Sequence, residues 1–205
     1  MKFFYAPSTI SVATGLLLEE AGVEYERQPL DMQKSEQTSP DYLAINPKGR
    51  VPALVTDKGI LTETGAIAEY IATLAPEKRL VPQDPWQAAQ MRSVCYYLAS
   101  TFHINHAHRR RGYRWASETS SHEDMSRNVP RTMAESCAFI EASCALDPYV
   151  MGADFTIADP WLFAICTWLE GDEVDITGFP RLAAHYSRIA ERRSAAALRA
   201  YGLLR

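Results

Sequence analysis

Residues Asn46–Ala72 read NPKGRVPALVTDKGILTETGAIAEYIA. This stretch holds two apolar runs of strand character, Val51–Val55 and Ile60–Thr62, joined by the turn Asp57-Lys58-Gly59. A helical pattern then opens at Glu63-Thr64 and repeats apolar residues at Ile67, Ala68, Ile71 and Leu74. Pro52 interrupts the first run. Proline has no N–H and is confined to strand starts and edges, and its bond to Val51 is a candidate cis bond. The ladder therefore stops beside Val51, leaving a backbone edge that an extended peptide-like ligand can pair with. A few residues on, the helix start Glu63-Thr64-Gly65 offers unpaired N–H groups that favour a carboxylate. A free strand edge beside an anion nest suits a small anionic peptide.

Outward from this stretch, the N-terminal side alternates strand and helix. Lys2–Tyr5 reads as a first strand, and Tyr5-Ala6-Pro7-Ser8-Thr9 as a loop. A helix runs from Ser11 to Ala21, with Val12, Ala13, Leu16 and Leu17 apolar, and Gly22 stops it. Glu24–Leu30 alternates as a strand, so a parallel crossover links it to the first. Ser39-Pro40-Asp41 opens a short helix with a cap, a proline at the first position and an acid in the first turn. At Ala75-Pro76 the character changes: residues 76–85 carry Pro76, Pro82 and Pro85 and read as a linker. Beyond Trp86 the patterns are helical only, over about 86–107, 123–145, 157–170 and 180–200. Thr156-Ile157-Ala158-Asp159 has the form of a capping box, a structural device at the start of a buried helix. The chain thus divides into an α/β part over 1–75 and an all-α part over 86–205.

Composition narrows the function. The 205 residues are 47% hydrophobic, enough for one sizeable core or two small ones. A formal net charge of −4 argues against general nucleic-acid binding. No apolar run approaches the ~20 residues of a membrane span. Cys95, Cys137, Cys144 and Cys166 show neither C-x-x-C nor metal-ligand spacing and read as buried, reduced side chains, which points to the cytoplasm. His103, His106 and His108 lack an accompanying carboxylate or cysteine, so no metal is expected.

The order N-P-K-G-R-V-P-A-L, a hairpin and T-E-T-G-A-I-A-E-Y-I, joined far downstream by Phe155-Thr156-Ile157-Ala158-Asp159, resembles the cytosolic glutathione transferases, most of all their bacterial beta-like members. The resemblance covers nearly the whole chain. It implies a thioredoxin-like N-terminal domain with cis-Pro52, an all-helical C-terminal domain and a homodimer. It also implies glutathione as co-substrate, with no other cofactor, and a small hydrophobic electrophile as second substrate. Ile10 stands where the beta-like pattern has a cysteine, which puts in doubt the mixed-disulfide chemistry linked with that residue.

Without that cysteine, the hydroxyls near the start of the first helix become the candidates for activating the glutathione thiol. Ser8 matches the catalytic serine or threonine of theta-like and nu-like relatives and ranks first, with Thr9 second. Ser11 reads first as the helix cap and only then as a donor. Tyr5 ends the first strand where tyrosine-type families place their hydroxyl, and equally reads as a half-buried aromatic. For the tripeptide, the resemblance implies that Val51 pairs its backbone with the cysteinyl residue, beside Pro52. Glu63 then meets the ammonium and Thr64 the γ-glutamyl carboxylate, while Lys34 or Arg50 meets the glycyl carboxylate. His103 matches the histidine that beta-like members turn toward the sulfur, and Ile10, His106 and Arg110 join it in the second-substrate pocket. Arg109–Arg111 read either as cations at a helix end or as a positive rim for an anionic ligand. A glutathione-dependent disulfide or peroxide reductase and a non-catalytic binding or scaffold module share these residues and remain alternatives.

Overall fold

The computed structural model describes all 205 residues. Strand β1 (Lys2–Tyr5) is buried at Phe3, Phe4 and Tyr5. It pairs in parallel with β2 (Glu26–Pro29), whose side chains are mostly exposed, as befits an edge strand. On its other side β1 pairs antiparallel with β3 (Ala53–Thr56), which turns through Asp57-Lys58 into β4 (Gly59–Thr62). The sheet order is β2-β1-β3-β4, and the Val51–Pro52 bond is cis, as expected. β2 is shorter than the alternating run Glu24–Leu30. Tyr25 leaves the ladder to bond through its hydroxyl to Glu19 Oε1 at 2.6 Å and Tyr201 Oη at 3.3 Å.

Helix α1 (Ser11–Ala21) ends at Gly22, which takes the left-handed conformation at φ 68°. α1 is apolar and buried nearly all round, which marks a central helix rather than an amphipathic surface one. Helix α2 (Pro40–Ile45) starts from a Ser39 cap whose hydroxyl accepts from the Tyr42 N–H at 3.2 Å. Helix α3 (Thr64–Leu74) continues directly from β4. Segment 76–85 is stitched to the helical half: Leu80 is buried, and its carbonyl accepts from the Ile157 N–H at 2.9 Å.

Helix α4 (Pro85–Tyr97) passes through a π-helical turn at Leu98–Phe102 into α5 (His103–Arg111), so the pattern expected over 86–107 is one rod with a widened turn before His103. Such turns are frequent at functional sites. Helix α6 (Thr119–Ser143) packs along α5. Helix α7 (Ala158–Cys166) is buried at every residue. Its start carries half of the expected capping box: Asp159 accepts from the Thr156 N–H at 2.7 Å, while the Asp159 N–H goes to the Thr156 carbonyl rather than to the hydroxyl. The carboxylate also accepts from the Val150 N–H at 2.8 Å and His185 Nε2 at 2.9 Å. α7 stops short of the expected residue 170, because Thr167 turns its hydroxyl back onto the Ala164 carbonyl at 2.6 Å and the chain enters tight turns. The pattern over 180–200 likewise divides, into α8 (Pro180–Ala190) and α9 (Arg193–Ala200). Arg192 is extended between them, its guanidinium forked onto Glu20 at 2.7 Å for both bonds.

One apolar core of 43 buried residues runs from Phe3 through α1, α3, α4, α6 and α7 to Leu204, crossing from the sheet into the helices without interruption. A small second cluster, Phe4, Leu30, Tyr42 and Ala53, lies under α2 on the opposite sheet face. No helix is long and apolar enough to cross a membrane.

Candidate active site

A cavity of about 780 Å³ opens between the sheet and α4–α5. The loop from β1 into α1 forms its floor. Ser8 sits there in the left-handed region at φ 57°, a conformation uncommon for a non-glycine residue. The far end of the chain holds it in place: its N–H donates to the Leu203 carbonyl at 3.2 Å, and its carbonyl accepts from Trp168 Nε1 at 3.1 Å. Ser8 lines the cavity, and its hydroxyl has no partner within the chain.

The other hydroxyls fare differently. Thr9 Oγ1 lies 2.8 Å from the Ala6 carbonyl, so its proton is committed to that acceptor. The same oxygen is 2.9 Å from Ser11 Oγ and accepts from the Ser11 N–H at 3.2 Å. Ser11, expected as the helix cap, is instead the first residue of α1, fully buried and outside the cavity, and α1 opens at Ile10 without a side-chain cap. Tyr5 points into the core, 4% exposed, stacked on Phe3 and edge-on to Tyr201. Burial raises its phenol pKa, and it does not line the cavity. Ile10 does, at the cavity wall.

On the sheet side, Val51 makes no backbone hydrogen bond within the chain. Its neighbour Arg50 is fixed through its carbonyl, which accepts from Tyr42 Oη and Asn46 Nδ2, both at 2.6 Å. Glu63 has φ 74° and precedes α3, whose first internally paired N–H is that of Ile67, to the Glu63 carbonyl at 3.0 Å. The N–H groups of Thr64, Gly65 and Ala66 are thus open toward the cavity mouth. A Cβ on Gly65 would stand 3.2 Å from the Trp161 ring, so the helix start lies directly on α7. The Glu63 carboxylate meets Lys48 Nζ at 2.5 Å, and the same ammonium bonds Thr62 Oγ1 at 2.7 Å. Sequence reasoning missed Lys48, although it lies between Asn46 and Val51, since nothing local says that it reaches the far end of the hairpin. Of the two expected cations, Arg50 lines the cavity, whereas Lys34 is exposed and pairs with Asp31 at 3.3 Å.

The helical wall brings His103 and His106 together around Trp168, with ring centroids 4.9 and 4.2 Å away. Burial lowers the His103 pKa to about 3, helped by His106 and by Arg111, Arg50 and Arg114, so this imidazole is neutral at ordinary pH. His106 Nδ1 lies 2.7 Å from the carboxylate of Asp172, which is buried. That pairing orients the ring and was invisible in the sequence, because Asp172 sits in a polar-looking turn 66 residues away. The three consecutive arginines diverge. Arg109 pairs with Glu173, Arg110 lines only a second cavity of about 240 Å³ behind His106, and Arg111 lines both that cavity and the main one. Arg110 is therefore not part of the main pocket. No group of three or more His, Cys, Asp or Glu side chains gathers in a metal-binding arrangement. All four cysteines are buried, and burial pushes Cys95, at the cavity wall, up to about 12.

Sheet order, cis bond and helical cover define a thioredoxin-like half joined to an all-helical half, with one cavity between a helix-start anion nest and a histidine-bearing wall. Residues 1–73 match the family model for the glutathione S-transferase N-terminal domain, and residues 93–193 match that for the C-terminal domain. Glutathione S-transferase GstA of Escherichia coli O157:H7 is 30% identical over 94% of each chain. A glutathione transferase homologue from Sulfitobacter, solved with bound glutathione, is 50% identical with a TM-score of 0.96, covering 99% of this chain and 98% of its own. A beta-class enzyme of Sphingomonas chungbukensis is 30% identical with a TM-score of 0.85, covering 99% of this chain and 100% of its own. The chain belongs to the glutathione S-transferase family and is a glutathione transferase.

Proposed function

We propose that the protein activates the thiol of glutathione as a thiolate, with Ser8 as the donor to sulfur, for attack on an electrophile in the helical half of the cavity. The observation that carries this reading is Ser8 at the cavity wall with a hydroxyl that has no protein partner, in the same cavity that the open α3 start lines. Glutathione lies along the unpaired Val51 edge beside Pro52. Its γ-glutamyl carboxylate meets the Thr64 N–H and hydroxyl, its ammonium meets Glu63, and its glycyl carboxylate meets Arg50. Lys48 holds Glu63 in position for this contact.

The energetics suffice without a protein cysteine. A free thiol has a pKa near 8.5, and lowering it by two units takes about 2.7 kcal/mol. One hydrogen bond to a charged group supplies roughly 1.5–3 kcal/mol, and a helix N-terminus adds about 0.3–1 kcal/mol. In a substitution, the thiol proton leaves to solvent, the sulfur forms a C–S bond, and the C–X bond breaks with its electron pair going to the departing anion. His103, neutral and facing the same space, can donate to a developing negative charge. A redox route through protein thiol is disfavoured, since Cys95 is held far from ionisation. The protein acts as a homodimer, a reading supported by exposed Trp86, Tyr96 and Phe139 on the helical half, and its four free, buried cysteines suit the cytoplasm.

The test is the ultraviolet absorbance of bound glutathione against pH. Ser8→Ala should raise the apparent thiol pKa by one to two units, about 1.4–2.7 kcal/mol, while glutathione still binds. An unchanged pKa in Ser8→Ala would remove Ser8 from the role.

A further inference from the structure

The helical wall of the cavity carries positive charge that no group in the chain neutralises. Two carboxylates line the cavity, and both are occupied: Glu63 by Lys48 at 2.5 Å and Glu69 by Arg92 at 2.8 Å. Asp172, behind the wall, is taken by His106 at 2.7 Å. Arg50, Arg111 and Arg114 face the same space, and none of their guanidiniums has an ion pair or a hydrogen-bond partner in the protein. Arg111 is half-buried. Burial disfavours its charge, and the neighbouring guanidiniums of Arg114 and Arg50 disfavour it further. A guanidinium cannot escape by losing its proton at ordinary pH. A desolvated cation among cations is costly until an anion arrives.

Glutathione on the sheet side accounts for Arg50 alone. Arg111 and Arg114 lie at and just beyond the end of α5 and line the cavity together with Tyr113 and Trp115, the Arg114 guanidinium 6.0 Å from the Tyr113 ring centroid. We propose that the second substrate is an electrophile with an aromatic or other flat apolar body and a carboxylate, the carboxylate held by Arg111 and Arg114 and the body resting against Trp115 and Tyr113. The planar guanidinium fork matches a carboxylate in two parallel bonds, and the half-buried setting of Arg111 strengthens the attraction there. A purely hydrophobic electrophile would leave both cations uncompensated. This inference rests on the glutathione-transferase reading of the cavity and names the substrate class of the same site.

The experiment compares 4-chloro-3-nitrobenzoate with its methyl ester, each kcat/KM divided by the uncatalysed rate with glutathione at the same pH. Wild-type protein should favour the acid by tenfold or more, and the preference should shrink as salt is raised. Arg111→Met and, separately, Arg114→Met should each cut the acid-to-ester ratio about tenfold, chiefly through KM for the acid. Arg111→Lys, which keeps charge but loses the fork, should fall between. Two variants guard against one of them failing to fold. Equal normalised rates for acid and ester in the wild type would overturn the proposal, as would an unchanged ratio in both methionine variants. Calorimetric titration of glutathione without electrophile separates the two readings. No binding would sink the glutathione placement itself, whereas binding without acid preference would overturn the anionic-substrate inference alone.

Discussion

At the scale of single residues, the site is decided by which polar groups already have partners. Ser8, Thr9 and Ser11 are chemically similar and close in sequence, yet only Ser8 keeps a hydroxyl free for a ligand, because Thr9 spends its proton on Ala6 and Ser11 is sealed into the core. Glu63 has its carboxylate exposed but anchored by Lys48. We expect Glu63→Ala to weaken glutathione binding by about 1.5–3 kcal/mol, the worth of a charge-assisted contact, read by calorimetry. Unchanged affinity in a folded variant would contradict the placement. His103 gives a pH prediction. Its folded-state pKa, about 3, lies below the ordinary histidine value of about 6.5. The unfolded chain therefore binds the extra proton first, and this residue lowers stability as pH falls from about 6.5 toward 3. His103→Asn should lose less stability between pH 7 and pH 4.5 than the wild type does, measured by urea midpoints. An equal loss in the two proteins would show that His103 is not buried neutral.

At the scale of elements, α7 is the piece on which the helical half is built. Every residue from Ala158 to Cys166 is buried, and Asp159 ties its start to Val150, Thr156 and His185. Removing that carboxylate strands two backbone donors and one imidazole in the interior. Asp159→Ala should therefore cost about 3–5 kcal/mol, the range for breaking a buried ionic partnership, seen as a large fall in urea midpoint. A loss below about 1 kcal/mol would mean that water replaces these bonds. α1 meets the C-terminal segment so closely that a Cβ on Gly15 would lie 2.6 Å from Leu203 and 3.1 Å from the Tyr201 hydroxyl. Gly15→Val should destabilise by about 1–3 kcal/mol through overpacking. It should also disturb Ser8, whose N–H is held by the Leu203 carbonyl at 3.2 Å.

At the scale of the whole molecule, the boundary in composition near residue 76 does not divide the core. α1 lies against α3 on one side and α7 and α9 on the other, so the N-terminal half presents a large apolar face without its helical cover. A fragment ending at Leu80 should lack cooperative thermal unfolding by circular dichroism. A sharp transition in that fragment would show the halves to be independent. The features that the chain alone determined come from short-range physics. Ser39 and Gly22 bound helices through bonds within one turn, Asp159 accepts from the Thr156 N–H three residues before it, and Pro52 ends a ladder by lacking its own N–H. The hairpin β3–β4 and the open N–H groups at Thr64 obey the same local rules, whereas the pairing of β1 with β3 joins strands about fifty residues apart. Only the tertiary structure took Tyr5 and Ser11 out of the cavity, put Arg50 rather than Lys34 at its wall, gave His106 its Asp172 and kept Arg110 away from the main cavity that Arg111 lines. Those outcomes depend on which groups from distant parts of the chain arrive to bury, pair or leave free a side chain, and sequence spacing carries no record of that meeting.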